Sequence, residues 1–100
     1  MNRAIDLERI EGLVEDKCNR AIVAVLRGEE EGEMLTISEV IGLTNGYSYD
    51  SIRKHAYDLS EAGILVYSVQ RISGTQRVYM RLEDNNAVKH FLRTVKNYTT

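Results

Sequence analysis

The apolar pattern of this chain changes period at Gly63, and few small folds accommodate that change. Before it, Ile52, Ala56 and Leu59 recur at i, i+4 and i+7, the spacing of one helical face. After it, "ILVYSVQRI" and "RVYMRLE" are rich in β-branched and aromatic residues. The second segment alternates, with Val78, Met80 and Leu82 pointing one way and Arg77, Tyr79 and Arg81 the other. "SGTQ" between the two reads as a turn, so a β-hairpin is expected with its tip near Ser73-Gly74-Thr75-Gln76. Gly63 stands where a left-handed residue closes a helix, and Ile64 supplies the usual apolar contact after it.

The upstream half is helical by the same test. From Ile10, the apolar residues Leu13, Val14, Cys18, Ala21, Ile22, Val25 and Leu26 form a helical stripe that Gly28 ends. Gly12 costs that helix about 1 kcal/mol relative to alanine, so a break or kink is expected there. "EEEGE", residues 29–33, is a solvated loop without calcium-loop spacing. Met34-Leu35 reads as a short extended piece. "TISE" is a capping box that opens a short helix, with Ile37, Val40, Ile41 and Leu43 for burial. Asn45-Gly46 breaks it, and Ser48 caps the next helix. Beyond the hairpin, Asp84 or Asn85 caps a last helix striped by Val88, Phe91, Leu92 and Val95.

The order is therefore helix, short extended piece, helix, turn, helix, hairpin, helix. With the residues "TISEVIGLTNGYSYDSIRKHAYDLSEAGILVYSVQRISGTQRVYMRL", it resembles a winged helix-turn-helix domain. The small prokaryotic regulators of the antibiotic-resistance (MarR) and arsenic-sensor (ArsR) types carry the most similar patterns. "L-x-x-A-G-I-L" and "R-V-Y-x-R-L" are the most specific pieces, and the resemblance covers about residues 18–83. It implies an α+β, mainly α class: a three-helix core plus a β-hairpin wing, with an extended N-terminal helix and an extra C-terminal helix. Residues 1–100 would form one domain, with 1–17 and 84–100 as added helical elements.

That resemblance implies double-stranded DNA as partner, with the helix at about 49–62 in the major groove and the wing at about 71–77 on the backbone or minor groove. The chemistry of the open face agrees. The major groove displays acceptors such as guanine N7 and O6, and Arg53 can meet them bidentately. Lys54 suits a phosphate. Ser48, Tyr49 and Ser51 can hydrogen-bond a phosphate or a base at the helix start, and Tyr57 lies further along the open side. Arg71, Gln76 and Arg77 flank the wing tip. Asp50 repels a phosphate path unless it accepts from a cytosine amino group or braces a neighbouring cation.

Charge supports a polarised molecule rather than a basic one. Residues 1–50 carry 5 Lys/Arg against 11 Asp/Glu, and residues 51–100 carry 8 against 4, so the halves are −6 and +4. The terminal stripes exceed what a core of about 65 residues covers. Ile5, Ile10, Leu13, Val14, Val88, Phe91, Leu92 and Val95 are therefore expected to join a homodimer. Packing of the two terminal helices on each other within one chain is the competing arrangement. A two-fold dimer would read half-sites about 10 bp apart in a nearly palindromic operator. The expected activity is that of a small transcriptional regulator, repressing rather than activating. The competing reading is a winged helix that contacts protein in a transcription or replication assembly.

Other classes find little support. Cys18, the lone cysteine, excludes an internal disulfide framework; it is either a small buried hydrophobe or a disulfide partner for Cys18 of a second copy. His55 and His90 lie far apart, and no nucleophile–base pair, phosphate loop or HExxH segment occurs, so no enzyme, metal site or cofactor is expected. The arsenic-sensor type usually carries a cysteine pair in its helix, and residues 47–62 contain none. No apolar run approaches the ~20 residues of a membrane span, and the charged start is no secretory signal, so a cytoplasmic protein is expected.

Overall fold

A computed structural model describes residues 5–99 of the chain. It contains α1 (Leu7–Val14), α2 (Lys17–Arg27), β1 (Leu35–Thr36), α3 (Ile37–Leu43), α4 (Tyr49–Glu61), β2 (Leu65–Ile72), β3 (Thr75–Leu82) and α5 (Asn86–Thr99). The three strands form one antiparallel sheet in the order β1-β3-β2. This α+β architecture, five helices on a small sheet among the described residues, is consistent with a winged-helix-like fold.

The expected single N-terminal helix is two helices. Gly12 lies inside α1, and the chain breaks at Glu15-Asp16 instead. Asp16 adopts extended backbone geometry, and its carboxylate accepts from the N–H groups of Cys18 (2.8 Å) and Asn19 (3.3 Å). An N-cap that satisfies two orphan donors makes a restart cheaper than a continuous helix. The last carbonyls of α1 are taken by side chains of α2: Asn19 Nδ2 donates to Leu13 (2.9 Å) and Arg20 Nη1 to Val14 (2.6 Å). Asn19 is buried, and its Oδ1 has no hydrogen-bond partner among the described residues.

The other boundaries follow local chemistry. The Thr36–Glu39 capping box closes in both directions, at 3.2 and 3.0 Å. Ser48 Oγ accepts from Ser51 N–H at the start of α4. At its end, Ile64 N–H reaches Leu59 C=O and Gly63 N–H reaches Ser60 C=O, the paired bonds of a Schellman motif. Gly63 takes φ +81° there, a conformation that costs a residue with a Cβ roughly 1–2 kcal/mol. Of the two expected caps for α5, Asn85 serves: its Oδ1 accepts from Val88 N–H (2.9 Å) while Nδ2 donates to Gly63 C=O (2.8 Å). One amide side chain thus opens α5 and ties it to the end of α4.

A single hydrophobic core draws on all eight elements, with Ile22, Val40, Ile52, Leu59, Met80 and Phe91 fully buried. This corrects the assignment of the terminal stripes to a dimer contact. Ile10, Val14, Val88 and Phe91 are buried within one chain, where α1 packs along α5 and His90 Nε2 meets Glu11 Oε1 at 3.3 Å. Leu13, Leu92 and Val95 are partly buried against the same core, and Ile5 stays exposed. The two helices cover each other because each presents its apolar stripe to the other, leaving no large bare patch between them. Residues 1–4 of the expected N-terminal element lie outside the described residues.

Two smaller corrections follow from geometry. Leu43 is 60% exposed, because Ile37, Val40 and Ile41 share one face of α3 and position 43 falls on the other side. Cys18 is buried under α4, with Sγ 3.8 Å from Ser51 Oγ. Burial pushes its thiol pKa up, against the smaller opposing effect of the Ser51 hydrogen bond. An intersubunit disulfide through Cys18 does not fit this placement, since the thiol would have to leave the α2–α4 contact to reach a second copy.

Candidate functional site

Helix α4 buries Ile52, Ala56 and Leu59 and turns the opposite side outward. Tyr49, Arg53 and Tyr57, at i, i+4 and i+8, form one exposed row on it. Lys54 is exposed beside them. The ion pairs among the described residues are His55–Asp16, Arg81–Glu83 and His90–Glu11, so neither Arg53 nor Lys54 is braced by Asp50 or any other carboxylate. Two cations held on a rigid helix without an acidic partner are available to an external anion.

The hairpin joins this row through an aromatic contact. Tyr57 and Tyr67 meet edge to face, with ring centroids 5.7 Å apart at 88°. Tyr67 is half-buried. Burial pushes its phenol pKa up, the nearby Arg53 guanidinium pulls it the other way, and Tyr49 adds a smaller upward push. The Glu61 carboxylate one turn on pushes the Tyr57 phenol pKa above its ordinary value. Nothing in the local sequence singles out Tyr67 for this contact. Its position below the α4 row depends on the α4–β2 docking angle, which no local pattern encodes.

Register places the wing residues. Ile72 pairs with Thr75, so the turn is the two residues Ser73-Gly74, both with positive φ (52° and 79°). That is the turn whose twist matches a hairpin. Arg71 pairs with Gln76 and Gln70 with Arg77. Arg71 and Gln76 lie on the sheet face of Tyr67 and Met80, while Arg77 lies on the opposite face with Tyr79 and Arg81. Two of the three expected wing residues therefore share the side that meets α4, and Arg77 does not.

Ser51 also departs from expectation. It is half-buried, with its hydroxyl turned to Cys18 and its carbonyl 2.7 Å from His55 Nδ1. Ser48, Tyr49, Arg53, Lys54 and Tyr57 keep the open side; Ser51 faces α2. His55 extends the inner contact, with Nε2 3.2 Å from Asp16 Oδ2, so the cap of α2 also anchors α4.

This anchor has a pH signature. Partial burial opposes ionisation of Asp16, but the Cys18 and Asn19 amides and His55 outweigh it and hold the carboxyl below its ordinary value. A lowered folded-state pKa contributes stability above the unfolded value of about 3.9 and loses it as pH falls through the folded value. Asn is as good an N-cap as Asp. Asp16→Asn is therefore expected to match the parent's melting temperature near neutral pH and to lose less of it below about pH 4. Parallel acid-side slopes for the two proteins in thermal melts would refute the anchor's role.

With this geometry in place, a solved structure can be compared. The chain is similar in fold to a possible transcriptional regulator. That protein, from Methanosarcina mazei Go1, superposes with a TM-score of 0.60 over 92% of this chain and 78% of its own length, at 13% identity. Such an identity establishes a shared fold. No family model matches the chain, and no curated protein matches it at a significant level. Among the described residues, no group of three or more His, Cys, Asp and Glu side chains is placed to hold a metal ion. No helix among them is long and apolar enough to cross a membrane.

Proposed function

We propose that this chain is a winged-helix transcriptional regulator that binds double-stranded DNA as a homodimer, with α4 in the major groove and the β2–β3 wing on the backbone or minor groove. The observation that carries the reading is the unpaired Arg53–Lys54 couple on the open side of α4, beside half-exposed tyrosines and next to the wing face bearing Arg71 and Gln76. The groove's acceptors and the phosphates are the natural complement of such donors. The likeness to a possible transcriptional regulator supports a regulatory role. Repression is the preferred mode within this reading. No catalytic activity is proposed.

Binding to random duplex DNA tests the reading most directly. At about 50 mM salt, binding is expected, because nonspecific electrostatics are strongest there. Six to eight phosphate contacts per dimer give a slope of log K against log salt of roughly −5 to −7. Absence of binding at that salt favours the second reading, a winged helix that docks on protein. One observation supports that alternative: Leu43, Tyr49, Tyr57, Val69 and Ile72 are all exposed, more apolar surface than a phosphate-facing side requires.

A further inference from the structure

We infer that the groove between α2 and α5 binds a straight-chain fatty carboxylate, with its headgroup on Arg20 and its tail along Val23 and Phe91. The groove holds about 360 Å³, the size of a small-ligand site. Val23 and Phe91 form its floor, Leu92 and Val95 its α5 wall, and Ala24 and Gly28 a low wall on the α2 side. Its charged side chains are Arg20 and Arg27. No residue of α4 or of the wing lines it, so the inference does not rest on the DNA reading.

Shape selects the tail. Positions 20 to 28 span about 12 Å along α2 at 1.5 Å per residue. About 360 Å³ spread over about 12 Å is about 30 Å² in section, room for one alkyl chain with carbon contacts near 4 Å. A helix, about 10 Å across, is too wide for it. DNA has no apolar chain to lay on Val23 and Phe91.

Charge selects the head. The ion pairs among the described residues leave Arg20 and Arg27 without a carboxylate. Two cations on one helix face also oppose a second copy crossing there, since each Arg27 would approach the other copy's Arg20. Arg20 is half-buried and held in direction. Its Nη1 donates to Val14 C=O at 2.6 Å, and its guanidinium lies 4.7 Å over the Tyr98 ring. Its remaining donors have no partner among the described residues, and a guanidinium fork takes a carboxylate through two parallel bonds. The opposite end of the groove is less suited to an anion, because Glu29, Glu30 and Glu31 follow Gly28 directly. The headgroup therefore sits at Arg20, and the tail runs past Ala24 towards Gly28.

Titration calorimetry of the full chain with decanoate tests this. Saturable binding is expected with a dissociation constant of about 10–100 μM, reasonable for a ligand of about a dozen non-hydrogen atoms. Octanoate, two methylenes shorter, is expected to bind about tenfold more weakly. Decanol, which keeps the tail and lacks the charge, is expected to lose at least about tenfold. Arg20→Gln is expected to cost decanoate at least about tenfold and Arg27→Gln less than about threefold. Ala24→Leu puts a good helix former at an exposed position, fills the groove, and is expected to abolish binding with the melting temperature retained. The decanol and Ala24→Leu arms decide the matter should Arg20→Gln fail to fold. Amide shifts on adding decanoate are expected in α2 and α5 and not in α4 or the wing. No saturable binding up to about 1 mM overturns the inference. So does decanol as tight as decanoate, parent-like affinity in Ala24→Leu, or a larger loss from Arg27→Gln than from Arg20→Gln. Self-association that shifts the same α2 and α5 amides and excludes decanoate overturns it too, and assigns the groove to a second copy.

Discussion

Phe91→Ala is expected to remove about 3–5 kcal/mol of unfolding free energy, the usual cost of emptying a fully buried aromatic site. Phe91 is wholly inaccessible, lies on α5, and belongs to the same core as Ile10 and Val14 of α1 and Ile52 and Leu59 of α4. A domain of this size has only about 5–15 kcal/mol in total, so the variant should sit near the edge of folding at 37 °C. Urea unfolding at two protein concentrations separates two roles. A helix serving only to dimerise would give a loss that shrinks on dilution. A helix completing each subunit's own core gives the same loss at both. A concentration-independent loss below about 1 kcal/mol would show that α5 is dispensable to the fold.

Arg53→Ala is expected to cost about 1–3 kcal/mol in specific DNA binding and to relax preference at one base position. Lys54→Ala is expected to weaken all sequences alike and to flatten the salt slope by about one. The contrast rests on chemistry: a guanidinium fork can match guanine bidentately, whereas an ammonium is a point charge suited to phosphate. Neighbouring structure sharpens it, since Arg53 lies on the Tyr49–Tyr57 row, and Tyr57 packs edge to face on Tyr67 of the wing. Competition binding with single-base variants of a selected site measures both effects. Equal and negligible losses would remove this face from the DNA contact.

Much of the candidate site was legible before the structure. Ser48 caps α4, Gly63 closes it, and the alternation of Val78, Met80 and Leu82 sets the faces of the wing. Each depends on groups within a few residues of one another. Less legible was which polar residues near the helix start face inward. Ser51 was assigned to the open side, yet it packs on Cys18, 33 positions earlier. The pairing of Tyr57 with Tyr67 and of His55 with Asp16 was likewise invisible, because each joins elements through a docking angle.

The amino-acid order alone determined the element types, the capping box at Thr36, the place of the hairpin tip around Ser73-Gly74 and the open row of α4, since all are governed by local hydrogen bonding and by periodicities of 3.6 and 2. Tertiary structure reinforced the break in the first helix, because His55 reaches the Asp16 cap from α4 while Asn19 and Arg20 take the last carbonyls of α1. It also decided the fate of the terminal stripes. An apolar face shows that something must cover it, but α1 and α5 cover one another only because the core brings residues nearly 80 positions apart into contact.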